Sequence, residues 1–516
     1  MVSISAPLSF DDYVILLNPA DGVGIAKQPI PAEAILQLPD GSPLRVHETI
    51  PPGHKLSLAA IRAGESIYRY GYPIGQATAD IPAGSWVHTH NLDLGVLSAD
   101  HAVRVVEPLA SVPSARTFLG YPRPDGKVGT RNYLALISTV NCSAHVVSQI
   151  ARAFPPERLR QYENVDGVIP ILHHSGCSMA PGGASYRYLK RVLNNLGSHP
   201  NIAAAVWVGL GCEVMQVGEC SPLYTADEFE GSTPRRMVIQ EQGGFQKTVE
   251  AGIELIESLL PQVNAVRREP QPLSKLVAAL QCGGSDGWSG VTANPLVGRI
   301  ADSLAAEGGT AILAETPEIY GAEQLLLQRV TSIEVANKLN ERVRWWSKEA
   351  RQRGFSLNNN PTPGNKQGGL TTIAEKSLGA VAKGGNSPLT AVYEYGEIAD
   401  QPGLVFMDTP GNDPMSITGQ LAGGSNLILF TTGRGSVFGS TLAPCVKIAS
   451  SQDLYERMVD DMDFNAGQLL HGTTWEVASQ ELLELILAVA SGQRTHSERH
   501  GLSENEFVPW QPDAVL

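Results

Sequence analysis

The chain has 516 residues, too many for one hydrophobic core of the usual size, so its length predicts roughly two to four domains. Its 38 Lys and Arg residues against 52 Asp and Glu residues give a net charge of −14, and the absence of a long basic stripe argues against a nucleic-acid partner. No segment approaches roughly 18 uninterrupted apolar residues and no basic stretch precedes an apolar run at the N-terminus, so we expect a cytoplasmic protein without a membrane partner.

Short apolar runs separated by turn signals fill residues 13–105. A similar phrase recurs there as IPPG at 50–53, IRAG at 61–64 and IPAG at 81–84. Proline presets φ and glycine supplies a positive φ, so each phrase is typical of a turn between strands. We therefore predict a small β domain over residues 1–105 and a linker over residues 106–118.

From about residue 119 the pattern changes to strand, Gly/Cys/Ser loop and helix, repeated many times. Short continuous apolar runs such as 202–208 and 427–430 indicate parallel strands that are buried on both faces. The sequence therefore predicts α/β architecture with mainly parallel sheets. We expect a first α/β domain at residues 119–270 and a second at 271–516.

Cysteines mark the ends of several predicted strands. Ligands of open α/β sheets bind beyond the carboxyl ends of the strands, so we expect these loops to share one cleft. Thiolates are soft ligands for iron, zinc or an iron–sulfur cluster, whereas Ca²⁺ and Mg²⁺ prefer oxygen. Small thiols also simply pack into tight loops. The cysteines concerned are Cys142, Cys177, Cys212 and Cys282.

The string VHTHN at 87–91 ends the predicted β domain. In a strand, residues i and i+2 face the same side, so His88 and His90 are expected to project together. That spacing suits one divalent metal or one anionic substrate. Two solvated histidines on an edge strand are the alternative.

Three Gly-rich loops with polar tips lie at 282–287, 363–369 and 431–436. Glycines let backbone N–H groups approach an anion, and Lys366 and Arg434 add positive charge. The chain has no G-x-x-x-x-G-K-[ST] string, and 209–211 lacks the third glycine of a dinucleotide fingerprint. Carboxylate binding is therefore favoured over nucleotide binding.

A cationic turn, DGKVGTRN at 125–132, precedes the first long predicted strand. Arginine can clamp a carboxylate bidentately. A solvated turn accounts equally well for Arg123 and Lys127. Arg131, which abuts a buried strand, is the better candidate for a substrate contact.

Several long strings resemble the altronate and galactarate dehydratase (UxaA-type) family over essentially the whole chain. They include VHTHN, DGKVGTRN, HSGC, GLGCE, QCGGSDGWSGVTANP, ETPEIYGAEQLL, NPTPGNKQGGLTT, EKSLGAVAKGG, FMDTPGND, FTTGRGS and DFNAGQLLHG. The resemblance implies an N-terminal SAF-like β-clip domain and a hydro-lyase that acts on six-carbon aldonic or aldaric acids. It also implies a divalent metal, with Fe²⁺ as our first choice and Mn²⁺ as the second. VHTHN is closer to the altronate branch.

Within that resemblance we hypothesise that the metal holds the C1 carboxylate and C2 hydroxyl of a sugar acid. A base near His173 or Lys366 then takes the C2 proton, and His174 or Asp286 protonates the departing C3 hydroxyl, which yields a 2-keto-3-deoxy acid. The expected metal ligands are His88, His90, Cys177, Cys212 and Glu213. The expected substrate contacts are Arg131, Asn132, Ser285, Thr371, Thr372, Asp408 and Arg434.

Three alternatives remain open at this point. One is a galactarate-type dehydratase that acts on aldaric acids. Another is an iron–sulfur hydro-lyase that uses the four cysteines named above, and the last is a sugar-acid binding protein without catalytic activity. A homodimer is expected because such dimers are the commonest oligomers.

Overall fold

The computed structural model describes residues 7–96, 101–110, 112, 116–220, 235–503 and 506–513. Part of the predicted linker, residues 111 and 113–115, lies outside this range. No helix within the described residues is both long enough and apolar enough to cross a membrane.

The N-terminal region is built almost entirely from short strands. They are β1 Leu8–Ser9, β2 Val14–Ile15, β3 Val23–Ala26, β4 Ile35–Gln37, β5 Pro43–Arg45, β6 Lys55–Ser57, β7 Ser66–Arg69, β8 Tyr72–Ala77, β9 Trp86–Val87 and β10 Leu92–Asp93, with one helical turn, α1 Phe10–Tyr13. The sheet orders are β2-β3-β6-β9, β1-β4-β5 and β10-β8-β7. Gly53, Gly64 and Gly84 have positive φ angles of 77°, 84° and 86°, which confirms the three predicted turns.

The next region contains a parallel sheet with the order β14-β13-β15-β16. A small antiparallel sheet, β12-β11-β17, joins the two ends of this region. The strands are β11 Thr117–Pro122, β12 Val128–Gly129, β13 Tyr133–Ser138, β14 Gly167–Ile171, β15 Ile202–Gly209, β16 Arg236–Val238 and β17 Glu269–Pro272. The helices are α2 Ala144–Arg152, α3 Pro156–Leu159, α4 Ala184–Leu196, α5 Val217–Cys220, α6 Ile239–Gln242 and α7 Phe245–Ala265.

The C-terminal region contains a seven-stranded parallel sheet with the order β20-β21-β19-β18-β22-β23-β24. Its strands are β18 Val277–Cys282, β19 Thr310–Leu313, β20 Leu389–Tyr393, β21 Gly403–Met407, β22 Leu427–Thr432, β23 Cys445–Ala449 and β24 Phe464–Asn465. Its helices are α8 Ala293–Ala306, α9 Gln324–Leu327, α10 Ile333–Gln352, α11 Pro363–Gln367, α12 Ile373–Val381, α13 Asp413–Ala422, α14 Gln452–Arg457, α15 Trp475–Ala490 and α16 His496–His500.

The central strands β19, β21, β22 and β23 are buried along their whole length, as expected for a parallel sheet that is covered on both faces. Residues of both parallel sheets share one apolar cluster, which packs α4 against α13 between the two sheets. The predicted fold class, a small β region followed by α/β regions with mainly parallel sheets, is therefore confirmed.

A buried ionic network fastens the N-terminal region to the seven-stranded sheet region. Glu375 accepts hydrogen bonds from Lys55 Nζ at 2.8 and 3.0 Å and from an Arg69 Nη at 2.5 Å, and all three side chains are almost completely buried. Lys55 also donates to the carbonyl of Gly369, and Arg69 donates to the carbonyl of Gly287, each at 2.7 Å. Burial alone raises the pKa of Glu375, but Lys55 and Arg69 outweigh it and lower that pKa to about 2.

Helix α12 carries this network and is buried at all nine of its positions. Its N-cap Thr372 accepts a hydrogen bond from the backbone N–H of Glu375 at 3.2 Å and donates to the carbonyl of Ile74 at 2.5 Å. Thr371 donates to Glu375 at 2.6 Å through its hydroxyl. The start of α12 is therefore fixed by N-terminal residues on one side and by its own capping groups on the other.

We expect Glu375→Gln to lower the free energy of unfolding by about 3–5 kcal/mol, because it leaves two cations buried without their carboxylate. Equilibrium urea unfolding followed by tryptophan fluorescence measures the change. The matched control is Glu33→Gln, which removes the partner of the exposed Arg45 and is expected to cost no more than about 1 kcal/mol. Equal losses in the two variants would contradict a stabilising role for the buried network.

Candidate active site at the carboxyl edge of the seven-stranded sheet

The strand order places a crevice at the centre of the large sheet. The next three strands along the chain, β19, β20 and β21, all lie on one side of β18. The strand after them, β22, lies on the other side of β18. Ligands of open parallel sheets bind at the carboxyl ends of the strands where the order reverses. The loops that follow β18 and β22, at residues 283–288 and 433–436, flank that point.

Beside this point lies a buried group of ionisable side chains, which we call the inner cluster. Cys282 is the last residue of β18, Glu315 and Glu318 follow β19, and Asp413 begins α13. The lysines come from α12 and from the turn after it. The members of the inner cluster are Cys282, Glu315, Glu318, Lys376, Lys383 and Asp413.

One hydrogen bond and one ion pair, both short, organise the inner cluster. Lys383 Nζ lies 2.8 Å from the sulfur of Cys282, and Lys376 Nζ lies 2.6 Å from Glu318 Oε1. Asn360 donates a further hydrogen bond to Glu318 Oε1 at 2.8 Å. Glu315 adopts a left-handed backbone conformation, with φ 69° and ψ 71°, which is strained for a residue other than glycine.

Acids outnumber bases in the inner cluster, and the pKa values reflect this. Burial and the nearby Glu318 raise the pKa of Glu315 well above its usual range. Burial also raises the pKa of Asp413 to about 6, although Gln281 donates a hydrogen bond to its carboxylate at 2.8 Å. Perturbed carboxyl groups that gather at a sheet edge are typical of catalytic or ligand sites.

The N-terminal region presents aromatic side chains to the same loops. We call His54, Trp86, His88 and His90 the histidine face. The ring centroid of Trp86 lies 5.1 Å from that of His88 in a stacked arrangement and 5.5 Å from that of His90. The turn that carries His54 inserts between two loops, since a Cβ at Gly287 or Gly369 would collide with the carbonyl of Gly53.

His54 connects the histidine face to the C-terminal region. Trp86 donates its indole N–H to Nδ1 of His54 at 3.2 Å, so Nε2 must carry the proton and donate to the carbonyl of Gln367 at 3.2 Å. The side chain of Gln367 in turn accepts a hydrogen bond from the exposed Arg434 at 3.0 Å. Burial lowers the pKa of both His54 and His88 to about 4, so these rings are neutral at neutral pH.

Both predicted histidines belong to the histidine face, but the strand argument for them is wrong. Strand β9 ends at Val87, and residues 88–91 form a turn in which the N–H of Asn91 donates to the carbonyl of His88. His90 is exposed, whereas His88 is half-buried. Nδ1 of His88 is buried and has no hydrogen-bond partner among the described residues.

Several predicted residues lie between the histidine face and the large sheet, mostly in supporting positions. The carboxylate of Asp286 accepts hydrogen bonds from Ser289, Ser450 and the N–H of Trp288, which fold the loop. Burial raises the pKa of Asp286, and these hydrogen bonds only partly oppose that rise. The role of Asp286 as proton donor therefore stays a prediction. Ser285 is buried, and its carbonyl accepts from Asn365 at 2.8 Å.

Thr371 and Thr372 hold the start of α12 through the contacts given above, so their hydroxyls are not free for a substrate. Lys366 is half-buried on α11. Its neighbour Asn365 bonds the loop after β18, and its neighbour Gln367 bonds Arg434 and His54, so Lys366 stands where the histidine face meets the sheet edge.

Arg131 and Asn132 were expected to bind substrate, and the structure corrects this. Both residues precede β13 and therefore lie at its amino end, at the edge of the four-stranded sheet opposite the loops that follow its strands. Arg131 forms a bidentate ion pair with Glu498 at 2.7 and 2.8 Å. The amide group of Asn132 donates to backbone carbonyls of Asn164 and Val263.

His173 and Glu213 also have structural partners that exclude their predicted roles. Nε2 of His173 lies 2.9 Å from the carbonyl of Ser138 while Nδ1 accepts from the N–H of Ser175, so neither ring nitrogen is free to act as a base. The carboxylate of Glu213 accepts from Thr139 and from two backbone N–H groups of its own loop. It is consumed in folding that loop and is not available to a metal.

Three exposed cysteines, which we call the cysteine edge, lie at the carboxyl ends of β13, β14 and β15. They are Cys142, Cys177 and Cys212. Their loops contact one another, since the N–H of Asn141 donates to the carbonyl of Ser175 and the N–H of Met215 donates to that of Gly176. The exposed His174 lies on the same edge.

The predicted metal ligands do not form one site. His88 and His90 lie on the N-terminal region, whereas Cys177 and Cys212 follow strands of the four-stranded sheet. Within the part of the chain that the structure describes, the one group of three or more His, Cys, Asp or Glu side chains whose ligand atoms lie within 4.8 Å of one another contains none of these residues. The four-cysteine set is also divided, because Cys282 belongs to the inner cluster of the other sheet.

Asp408 follows β21 and is held by two side-chain hydrogen bonds. Its Oδ1 accepts from Thr316 at 2.5 Å and from the indole of Trp346 at 2.8 Å. Asp408 is 2 % exposed, and burial raises its pKa. It therefore fixes the loop after β19 and is not placed to contact a substrate.

Comparison with known proteins agrees with this three-part architecture. A family model described as the altronate/galactarate dehydratase SAF domain matches residues 12–95. A model of the second domain of D-galactarate dehydratase/altronate hydrolase matches residues 120–264. The C-terminal model of D-galactarate/altronate dehydratase matches residues 273–515.

Full-length relatives decide the assignment. An altronate dehydratase of Bacillus subtilis is 36 % identical over 468 residues, which cover 90 % of this chain and 92 % of that protein. The chain belongs to the altronate/galactarate dehydratase family. A galactarate dehydratase (L-threo-forming) of Escherichia coli is also 36 % identical, over 98 % of this chain and 97 % of its own length. Membership of the family confirms the resemblance that the sequence motifs indicated, including the SAF domain.

Sequence reasoning did not single out most of the inner cluster of this family member. Glu315 and Glu318 stand three residues apart directly after a buried strand, within ETPEIYGAEQLL, and Asp413 ends the string PGND. Lys376 and Lys383 stand seven apart in EKSLGAVAKGG, a helical spacing of two turns. Paired carboxylates at a strand end were the available signal.

His54 gives a pH prediction. Its folded-state pKa of about 4 lies below its ordinary value of 6.5, so protonation favours the unfolded chain. We expect the stability that the neutral ring contributes to be complete above pH 6.5 and to be lost as the pH falls towards 4. Unfolding free energies measured across this interval test it, with His54→Gln giving a shallower slope. Replacing the exposed His174 by Gln is the control, and the expectation fails if His54→Gln leaves the slope unchanged.

Proposed function

We propose that this protein is a hydro-lyase that removes water from a sugar acid and releases a 2-keto-3-deoxy acid. Family membership supports the reaction class. The observation that carries the proposal is the inner cluster, in which carboxyl groups and lysines meet at the carboxyl edge of the sheet beside the exposed Arg434. We place an altronate-like aldonic acid first as substrate because of the paired histidines, and a galactarate-type aldaric acid second.

Dehydration of such an acid needs three catalytic roles to be filled. A cation must hold the carboxylate, a base must take the C2 proton, and an acid must protonate the C3 hydroxyl as it leaves as water. The resulting enol becomes the ketone by taking a proton at C3. A divalent cation, Fe²⁺ or Mn²⁺, supplies stabilisation of the negative charge that develops when the C2 proton leaves.

Individual residues of this chain suit these catalytic roles. Arg434 offers an exposed guanidinium beside the histidine face, and such a group binds carboxylates bidentately. Lys366, on the helix between the two loops, is our proposed base. Asp413 is our proposed proton donor, since a carboxyl whose pKa is raised to about 6 holds a proton more readily than an ordinary aspartate.

An iron–sulfur hydro-lyase is the second candidate. The cysteine edge supports it, since three free and exposed thiols end three adjacent parallel strands. A brown absorbance that bleaches in air after anaerobic purification is the expected sign.

We further propose a homodimer, which light scattering in solution tests. The five cysteines with described side chains are all free thiols, which supports the cytoplasm as the proposed location.

The reaction itself is tested with a panel of aldonic and aldaric acids in heavy water. We expect D-altronate to react fastest and its 2-keto-3-deoxy product to carry one solvent deuteron at C3, because the enol is protonated there. Proton NMR of the product measures both the rate and the label. Release of a keto acid without deuterium at C3, or no reaction with any sugar acid in the presence of Fe²⁺ or Mn²⁺, contradicts the proposal.

The assigned roles predict that Lys366→Met and Asp413→Asn each lower kcat by about 10²–10⁴-fold, the usual contribution of a proton-transfer group. Circular dichroism checks that the variants remain folded. Lys348→Met, which changes an exposed lysine of α10, is the matched control and should keep full activity. A variant that turns over at the wild-type rate removes its residue from the mechanism.

A further inference from the structure

Three members of the inner cluster converge on one point. Cys282, Glu315 and Glu318 each offer a ligand atom within 4.8 Å of the other two, and all three are at most 3 % exposed. They come from two adjacent strands, β18 and β19, whose carboxyl ends bring the loops together. We propose that Cys282, Glu315 and Glu318 bind one divalent transition-metal ion. The role of the ion, though not its binding, rests on the proposed function.

Unpartnered oxygen atoms support a ligand at this point. Oε2 of Glu315 and Oε2 of Glu318 are buried and have no hydrogen-bond partner within the described residues. A buried carboxylate oxygen without a partner costs about 1–3 kcal/mol, and more when the group is charged. One cation between these carboxylates offsets that cost for both.

The neighbouring lysines hold the proposed ligand side chains in place and leave one oxygen atom of Glu318 without a hydrogen-bond partner among the described residues. Lys376 and Asn360 both bond Oε1 of Glu318, which leaves Oε2 for another partner. Burial raises the pKa of the Cys282 thiol, and Lys383, 2.8 Å from the sulfur, opposes that rise and so favours the thiolate that a metal binds. These contacts resemble the outer hydrogen bonds that fix the orientation of metal ligands in other proteins.

The charge balance favours a divalent ion. When a metal is bound, the ligand groups Cys282, Glu315 and Glu318 carry three negative charges, one more than the positive charges of Lys376 and Lys383. A divalent cation gives these five side chains and the ion one net positive charge, which the carboxylate of a substrate neutralises. The cluster is therefore suited to hold an ion and then to attract an anion.

The ligand types narrow the identity of the ion. A thiolate with two carboxylates combines a soft donor with hard donors, which suits Fe²⁺, Mn²⁺ or Zn²⁺ better than Ca²⁺ or Mg²⁺. Three protein ligands leave coordination positions open for a small molecule, as in catalytic rather than structural metal sites.

Cobalt provides a direct test, because a cobalt–thiolate bond gives an intense charge-transfer absorption in the near ultraviolet. We expect the metal-free chain, titrated with Co²⁺ without oxygen, to show this band with one equivalent bound. Cys282→Ser should abolish the band, and Glu315→Gln or Glu318→Gln should weaken Co²⁺ binding at least about tenfold. Two controls should keep the band: Cys445→Ser, which changes another buried cysteine, and the triple Cys142→Ser, Cys177→Ser, Cys212→Ser variant of the cysteine edge.

Retention of the band in Cys282→Ser, or its loss in the cysteine-edge variant, overturns the inference. If Cys282→Ser does not fold, the Glu315→Gln variant decides through thermal unfolding, since Mn²⁺ should raise the Tm of the parent but not of this variant. Cobalt bound as described, without dehydration of any sugar acid, leaves the site standing and rejects the function. Dehydration by Glu315→Gln protein that holds no metal rejects the site and leaves the function.

Discussion

The buried contact of Glu375 with Lys55 and Arg69 is the constraint on which the rest of the site depends. Three charged side chains removed from water are stable only when they pair with one another and when their remaining hydrogen bonds are satisfied. Here the cations reach two backbone carbonyls of the loops 286–288 and 367–369 as well as the carboxylate. The network therefore fixes the position of the N-terminal region relative to the loops that follow β18 and α11.

Helix α12 transmits this constraint to the inner cluster. Glu375 and Lys376 are consecutive, so their side chains leave the helix about 100° apart and reach two different ionic groups. One group joins the N-terminal region, and the other holds Glu318 at the sheet edge. The charge excess of the inner cluster and the docking of the histidine face are thus set by the same buried helix.

The sequence predicted the layers of this protein better than its contacts. Continuous apolar runs are sufficient to predict parallel strands, and the Pro-x-Gly phrases are sufficient to predict the turns of the N-terminal region. The sequence does not predict which side chains contact one another across the fold. The residue pair 88 and 90 could be read as a strand only because sequence does not show that β9 ends at Val87.

Other misassignments have the same origin. Arg131 and Cys177 both stand beside strands, but one precedes its strand and the other follows it, so they lie at opposite edges of one sheet. His173 and Glu213 carry reactive groups, but both side chains form hydrogen bonds with neighbouring backbone groups. The spacing of residues in the sequence does not show such hydrogen bonds. The inner cluster was visible in the strings that indicated the family, yet its members are separated by up to 131 residues and only the strand order unites them.

The separation of Lys55 from Glu375 by 320 positions also orders the assembly of the chain during synthesis. The N-terminal region leaves the ribosome long before its carboxylate partner exists, so its two cations stay hydrated at that stage. Docking must wait until α12 has been made and packed on the large sheet. The candidate active site is therefore completed late in synthesis, when the N-terminal region docks on the folded seven-stranded sheet region.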